Sequence, residues 1–131
     1  MFNVDLSTRD CDGHVIVVLR GELDVADAAG VAGALAVVAA REPEIIVDLA
    51  GLEFIDSSGV AALARGRKLA RYAGGDLLLA APQHQVLRVL ALTRLIDAFA
   101  VHVSVAEAAR NAGRSRRAAP VAGRSARVAV T

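Results

Sequence analysis

The stretch Phe54-Ile55-Asp56-Ser57-Ser58-Gly59-Val60 changes character abruptly. An apolar run stops at a carboxylate, two hydroxyls and a glycine, and an alanine-rich helical pattern begins. Serines at a strand-to-helix junction have three chemistries open to them. A nucleophilic serine needs a base within reach and usually a strained Gly-x-Ser-x-Gly turn, and neither spacing is present. His14, His84 and His102 each sit in or beside an apolar segment with no evident acidic partner, and their spacing suggests no metal site. A phosphate-binding loop would exploit the free amides of a helix start. It calls for a glycine-rich loop ending in Lys-Ser/Thr, which is missing, and Asp56 opposes an anion. The third chemistry makes the serine a substrate. A hydroxyl displayed at a helix start, with the small Gly59 beside it, is open to a kinase, and a phosphate would add about −1.5 to −2 charges there.

The elements that hold this junction follow from periodicity. Phe2, Val4 and Leu6 alternate with polar residues, the mark of a half-buried strand, and Asp12-Gly13 is a hairpin turn signal. His14–Gly21 is a β-branched run suited to a buried strand. The segment after Gly21 turns helical, with Asp24 or Asp27 as its cap and Ala28, Val31, Leu35 and Val38 at helical spacing. Gly30 and Gly33 weaken that helix by about 1 kcal/mol each, which suggests a close approach to the sheet. Glu44–Leu49 is a second buried strand. A helix from Ser57 to Ala73 follows, ending at Gly74-Gly75, with Ala62, Gly66, Leu69, Ala70 and Ala73 inward and Arg67, Lys68 and Arg71 on a solvated face. Residues 76–81 form another core strand, Pro82 opens a short helix with Val86, Leu87 and Leu90, and Phe99, Val101, Val103 and Val105 alternate before a last short helix after Ser104. Strands alternating with helices predict an α/β fold with parallel strands and an antiparallel N-terminal hairpin.

Composition narrows the function. At 131 residues the chain is one domain, and 55% hydrophobic content suffices for its core. No apolar run reaches the roughly 18–20 residues of a membrane span, and the N-terminus lacks the basic start of a signal peptide. Membrane insertion is not expected, and one cysteine, Cys11, fits a reducing cytoplasmic setting. Cys11 reads as a tolerated thiol in a turn, because Asp10 and Asp12 disfavour a thiolate. The net charge of +1 conceals an acidic body. Residues 1–109 carry all 14 acids, whereas residues 110–131 carry none and hold Arg110, Arg114, Arg116, Arg117, Arg124 and Arg127. That basic tail lacks hydrophobic periodicity and reads as disordered, outside a folded domain of residues 1–109. Four aromatics leave little for base stacking, so direct nucleic acid binding is not expected.

Four ordered segments, Gly21–Asp24 (GELD), Val47–Ala64 (VDLAGLEFIDSSGVAALA), Gly74–Pro82 (GGDLLLAAP) and Val86–Phe99 (VLRVLALTRLIDAF), resemble the STAS domain of bacterial anti-sigma factor antagonists over roughly residues 2–110. The resemblance implies a single STAS domain, a small mixed β-sheet with helices packed mainly on one face. It implies a binding protein, not an enzyme, with no cofactor. Unphosphorylated, such an antagonist binds an anti-sigma factor with serine kinase activity and frees the sigma factor. The kinase then phosphorylates the serine directly after the Asp, here Ser57, and a phosphatase resets it. The implied partner-binding residues are Glu22, Asp24, Asp27, Asp56, Ser57, Ser58 and Gly59. The alternative is a STAS scaffold subunit that meets no kinase, in a signalling or lipid-transport assembly. The chain departs from the family pattern at Asp27, often Thr, which adds charge near the expected interface, and at Arg94, often Gly. A left-handed cap at Arg94 is unfavourable by about 1 kcal/mol, so a differently shaped loop is expected there.

Overall fold

The computed structural model describes residues 3–118. Strands β1 (Val4–Cys11) and β2 (His14–Leu23) form the expected antiparallel hairpin. Its turn places Asp12 at φ 50° and Gly13 at φ 83°, the paired left-handed geometry that matches the twist of the strands. Helix α1 (Val25–Arg41) leads to β3 (Glu44–Ile55), and α2 (Ser57–Tyr72) leads to β4 (Asp76–Ala80). Helix α3 (His84–Leu92), a 3₁₀ turn at Ile96–Ala98, the short β5 (Val101–His102) and α4 (Val105–Ala118) complete the chain as described. The sheet order is β1-β2-β3-β4-β5, antiparallel at the first pair and parallel at the others.

Alternation along the strands divides the core in two. Val17, Leu19, Ile45, Val47, Leu77 and Leu79 point to one face, where α1, α2 and α3 supply Leu35, Leu63 and Leu90. Each such side chain contributes about 1.5–3 kcal/mol on burial. Ile16, Ile46 and Leu78 point to the other face, which α4 covers with Ala108 and Ala112. The fold is thus α/β, with three helices on one face and one on the other.

Several expectations need correction. Gly30 and Gly33 face open space, with no atom within 4 Å of a Cβ placed on either, so close approach to the sheet does not explain them. The inner face of α2 is Gly59, Val60, Ala62, Leu63, Gly66, Arg67 and Ala70, while Leu69 is 38% exposed. Arg67 is therefore not on a solvated face: it is buried, and its Nε lies 3.2 Å from Asp76 Oδ1. Arg71 approaches the other oxygen of Asp76 at 3.5 Å. The β5 segment is short because Val103 turns out to solvent. His102 does have an acidic partner, Glu107 Oε1 at 3.1 Å from its Nδ1. Arg94 adopts φ 62°, so the loop keeps the left-handed geometry despite the side chain. Helix α4 continues through Ala118, past the boundary expected after Ala109. Alanine and arginine are strong helix formers, and buried Ala112 ties the extension to the sheet. The rest of the tail, residues 119–131, lies outside the described residues.

Candidate functional site

The junction at Ser57 is built by the C-terminal ends of two neighbouring parallel strands. Glu22 pairs with Phe54 and Leu23 with Ile55. The Asp56 N–H donates to the Leu23 carbonyl at 3.2 Å, which fixes the start of α2 against the end of β2. Each of the two helices that begin here is capped by an aspartate. Asp24 Oδ1 accepts the Ala26 N–H at 3.0 Å, and Asp56 Oδ1 accepts the Gly59 N–H at 3.0 Å. Both aspartates have extended backbones, the geometry an N-cap requires.

The cap of α2 is Asp56 and not a serine, so Ser57 occupies the first helical position with its side chain at the surface. Ser58 is half-buried. It lines a cleft of about 150 Å³ between α1 and α2, with Ala28, Ala29, Ala32, Ala61, Ala62 and Arg65 as the other walls. Gly59 is buried. A Cβ there would stand 2.7 Å from Ile55 Cγ1, 2.8 Å from Leu23 Cγ and 2.9 Å from the Leu23 carbonyl oxygen. The close approach that a glycine allows is made by the chain's own β2 end.

The remaining acids divide. Glu22 is exposed and Asp24 half-exposed beside the serines. Asp27 is only 6% exposed and sits on the other flank of α1. Its Oδ2 accepts the Asn3 N–H at 3.1 Å, and the residue lines a groove against Val4 and Leu6 of β1. Asp27 thus tethers the start of β1 to α1 and adds no charge to the exposed patch. Sequence reasoning passed over two apolar members of this surface. Val25, the first residue of α1, is 71% exposed, and Phe54 is 46% exposed opposite Glu22. The available signal was strand alternation, which turns Phe54 to the face opposite its neighbour Ile55.

Among the described residues no group of three or more His, Cys, Asp or Glu is placed to hold a metal ion. No helix among them is long and apolar enough to cross a membrane. The surface offers a hydroxyl on a helix start, two exposed apolar side chains and an acidic rim. That arrangement suits recognition by another protein better than bond-making chemistry.

Comparison with known structures gives this geometry a context. An anti-sigma factor antagonist from Mycobacterium paratuberculosis is 25% identical, with a TM-score of 0.73, over 84% of this chain and 94% of that one. The Bacillus cell fate determinant SpoIIAA in its phosphorylated form has a TM-score of 0.64 at 19% identity, over 82% of this chain and 98% of that one. The fold also recurs inside a murine solute carrier 26 anion transporter, member A9. There the TM-score is 0.69 at 19% identity, and the match spans 81% of this chain but 18% of the transporter. The STAS domain family matches residues 5–108, which include β2 to β5, all of β1 but Val4, and the junction at Ser57. The chain belongs to the STAS domain family, and its fold is that of the anti-sigma factor antagonists.

Proposed function

We propose that this protein is an anti-anti-sigma factor switched at Ser57. In its unphosphorylated form it binds an anti-sigma factor with serine kinase activity, and the sigma factor is released. Phosphorylation of Ser57 ends the interaction, and a phosphatase restores it. The observation that carries this reading is the division of labour at the junction: Asp56 caps α2, which leaves Ser57 exposed and free to be modified without loss of the cap. Glu22, Asp24, Ser58 and the exposed Val25 and Phe54 form the surrounding contact surface. Asp27 and Gly59 support it from beneath, the first by tethering β1 and the second by letting α2 approach Leu23.

The loss of binding has a physical basis. A dianion pressed into an interface must shed water, and an unpaired buried charge costs several kcal/mol. Each 1.4 kcal/mol is tenfold in affinity, so a loss of about a hundredfold or more is expected. The test is to incubate the protein with its cognate kinase and ATP and to map the modification. Phosphate on Ser57 supports the reading; phosphate on Ser58 alone, or on neither serine, refutes it. The likeness to a domain within a transporter keeps a second reading in view, a STAS scaffold that meets no kinase. The same incubation separates the two.

A further inference from the structure

The single cysteine, inert by its neighbours in sequence, has different neighbours in space. Cys11 pairs directly with His14 across the hairpin, whereas Asp10 pairs with Val15 and so projects from the opposite face. Cys11 packs at the margin of the cluster under α4, formed by Ile16, Ile46, Leu78, Ala108 and Ala112. His14, two residues before Ile16, shares that face. It is 8% exposed, and its Nδ1 is buried without a hydrogen-bond partner. An unpartnered imidazole nitrogen and a thiol thus stand on directly paired residues of the hairpin.

Directly opposed residues in such a ladder have Cβ atoms about 4.5–5.5 Å apart. A metal held at about 2.3 Å from sulfur and 2.0 Å from nitrogen bridges a comparable span. Thiolate and imidazole together select soft ions such as Cu(I) or Zn(II). Zinc takes four ligands, and among the described residues no third His, Cys, Asp or Glu completes such a set. On the same sheet face Arg9 is exposed on β1 and the buried Glu44 begins β3. Two facing donors suit a closed-shell monovalent ion that accepts linear coordination.

We propose that Cys11 and His14 form a two-donor site for a soft monovalent metal ion, Cu(I) in class. On binding, the thiol proton leaves to solvent, one bond forms from Sγ and one from Nδ1, and the imidazole proton stays on Nε2. One proton is released per ion, and no oxidation state changes. The half-exposed Cys11 at the hairpin end is the entry point, and the ion clips edge strand β1 to β2.

The test is an anaerobic Cu(I) titration of the full chain against a chromophoric chelator, with Cys11→Ser and His14→Gln in parallel. One ion per chain is expected, with affinity at least a hundredfold lower in each variant. Because His14→Gln replaces a buried side chain, a second measurement uses the wild type alone: addition of redox-inert Ag(I) should move the ¹⁵N resonance of His14 Nδ1 and leave Nε2 protonated. The proposal is overturned if His14→Gln, folded by circular dichroism, binds as tightly as wild type. One ion shared by two chains, or a shift at Nε2 in place of Nδ1, overturns it equally.

Discussion

Gly59→Ala adds one methyl group at the point where α2 meets the end of β2. Its Cβ would fall within 2.7–2.9 Å of Ile55 Cγ1, Leu23 Cγ and the Leu23 carbonyl oxygen. None of the three can yield easily. Ile55 and Leu23 are 1% and 0% exposed, and the carbonyl is held by the Asp56 N–H. Overpacking of this kind costs about 1–3 kcal/mol, and three simultaneous contacts place it in the upper half of that range. Alanine recovers about 1 kcal/mol of helix propensity. The net expectation is a loss of about 1–2 kcal/mol, a melting point lower by roughly 3–8 °C for a domain of this size. The same change at Gly30 or Gly33 meets nothing within 4 Å and should stabilise by about 0.5–1 kcal/mol each. Urea and thermal unfolding of the three variants give the comparison. The reasoning fails if Gly59→Ala is as stable as wild type, or if Gly30→Ala is the more damaging change. Because relief of the clash must move the first turn of α2, Gly59→Ala should also weaken partner binding by more than the stability loss alone explains.

Other substitutions probe the remaining parts of the argument. Ser57→Asp should melt within a few degrees of wild type, since the helix dipole favours the new charge by about 0.3–1 kcal/mol and Asp56 opposes it by a similar amount. Titration of the same variant with the anti-sigma factor should show binding at least a hundredfold weaker; a large drop in melting point instead would make Ser57 a structural residue. Arg94→Gly relieves a left-handed backbone at φ 62°, and a gain of at most about 0.5 kcal/mol in denaturant unfolding is expected after the entropy cost of glycine. Truncation after Ala118 should leave melting and partner binding nearly unchanged. Truncation after Ala109 removes buried Ala112 from the α4 face and should lower the melting point; equal behaviour of the two truncations would show that the α4 extension adds nothing.

Much of the architecture was open to reading because it depends on local rules. The β-branched runs at His14–Gly21 and Glu44–Leu49 can only be buried strands, the Asp12-Gly13 turn fixes a hairpin, and the helix after Asp56 begins where a cap meets an alanine-rich run. The strand-helix alternation then leaves little choice beyond a parallel sheet. The exposure of Ser57 was legible for the same reason: the first position of a capped helix has few ways to be buried.

What tertiary packing decided is the fate of side chains whose type does not dictate their surroundings. Arg67 reads as a solvated charge, yet it is buried and paired with Asp76 at the start of β4. Asp27 reads as interface charge, yet the Asn3 amide just before β1 claims it. Glycines placed identically within helical runs differ in purpose, because Gly59 faces Leu23 and Gly30 faces open space. Cys11 has acidic neighbours along the chain and an imidazole across the ladder. For Arg67, Asp27 and Gly59 the deciding partner comes from another element, over a sequence separation that periodicity does not encode. A period reports which way a side chain points; only the assembled sheet and helices determine what it meets.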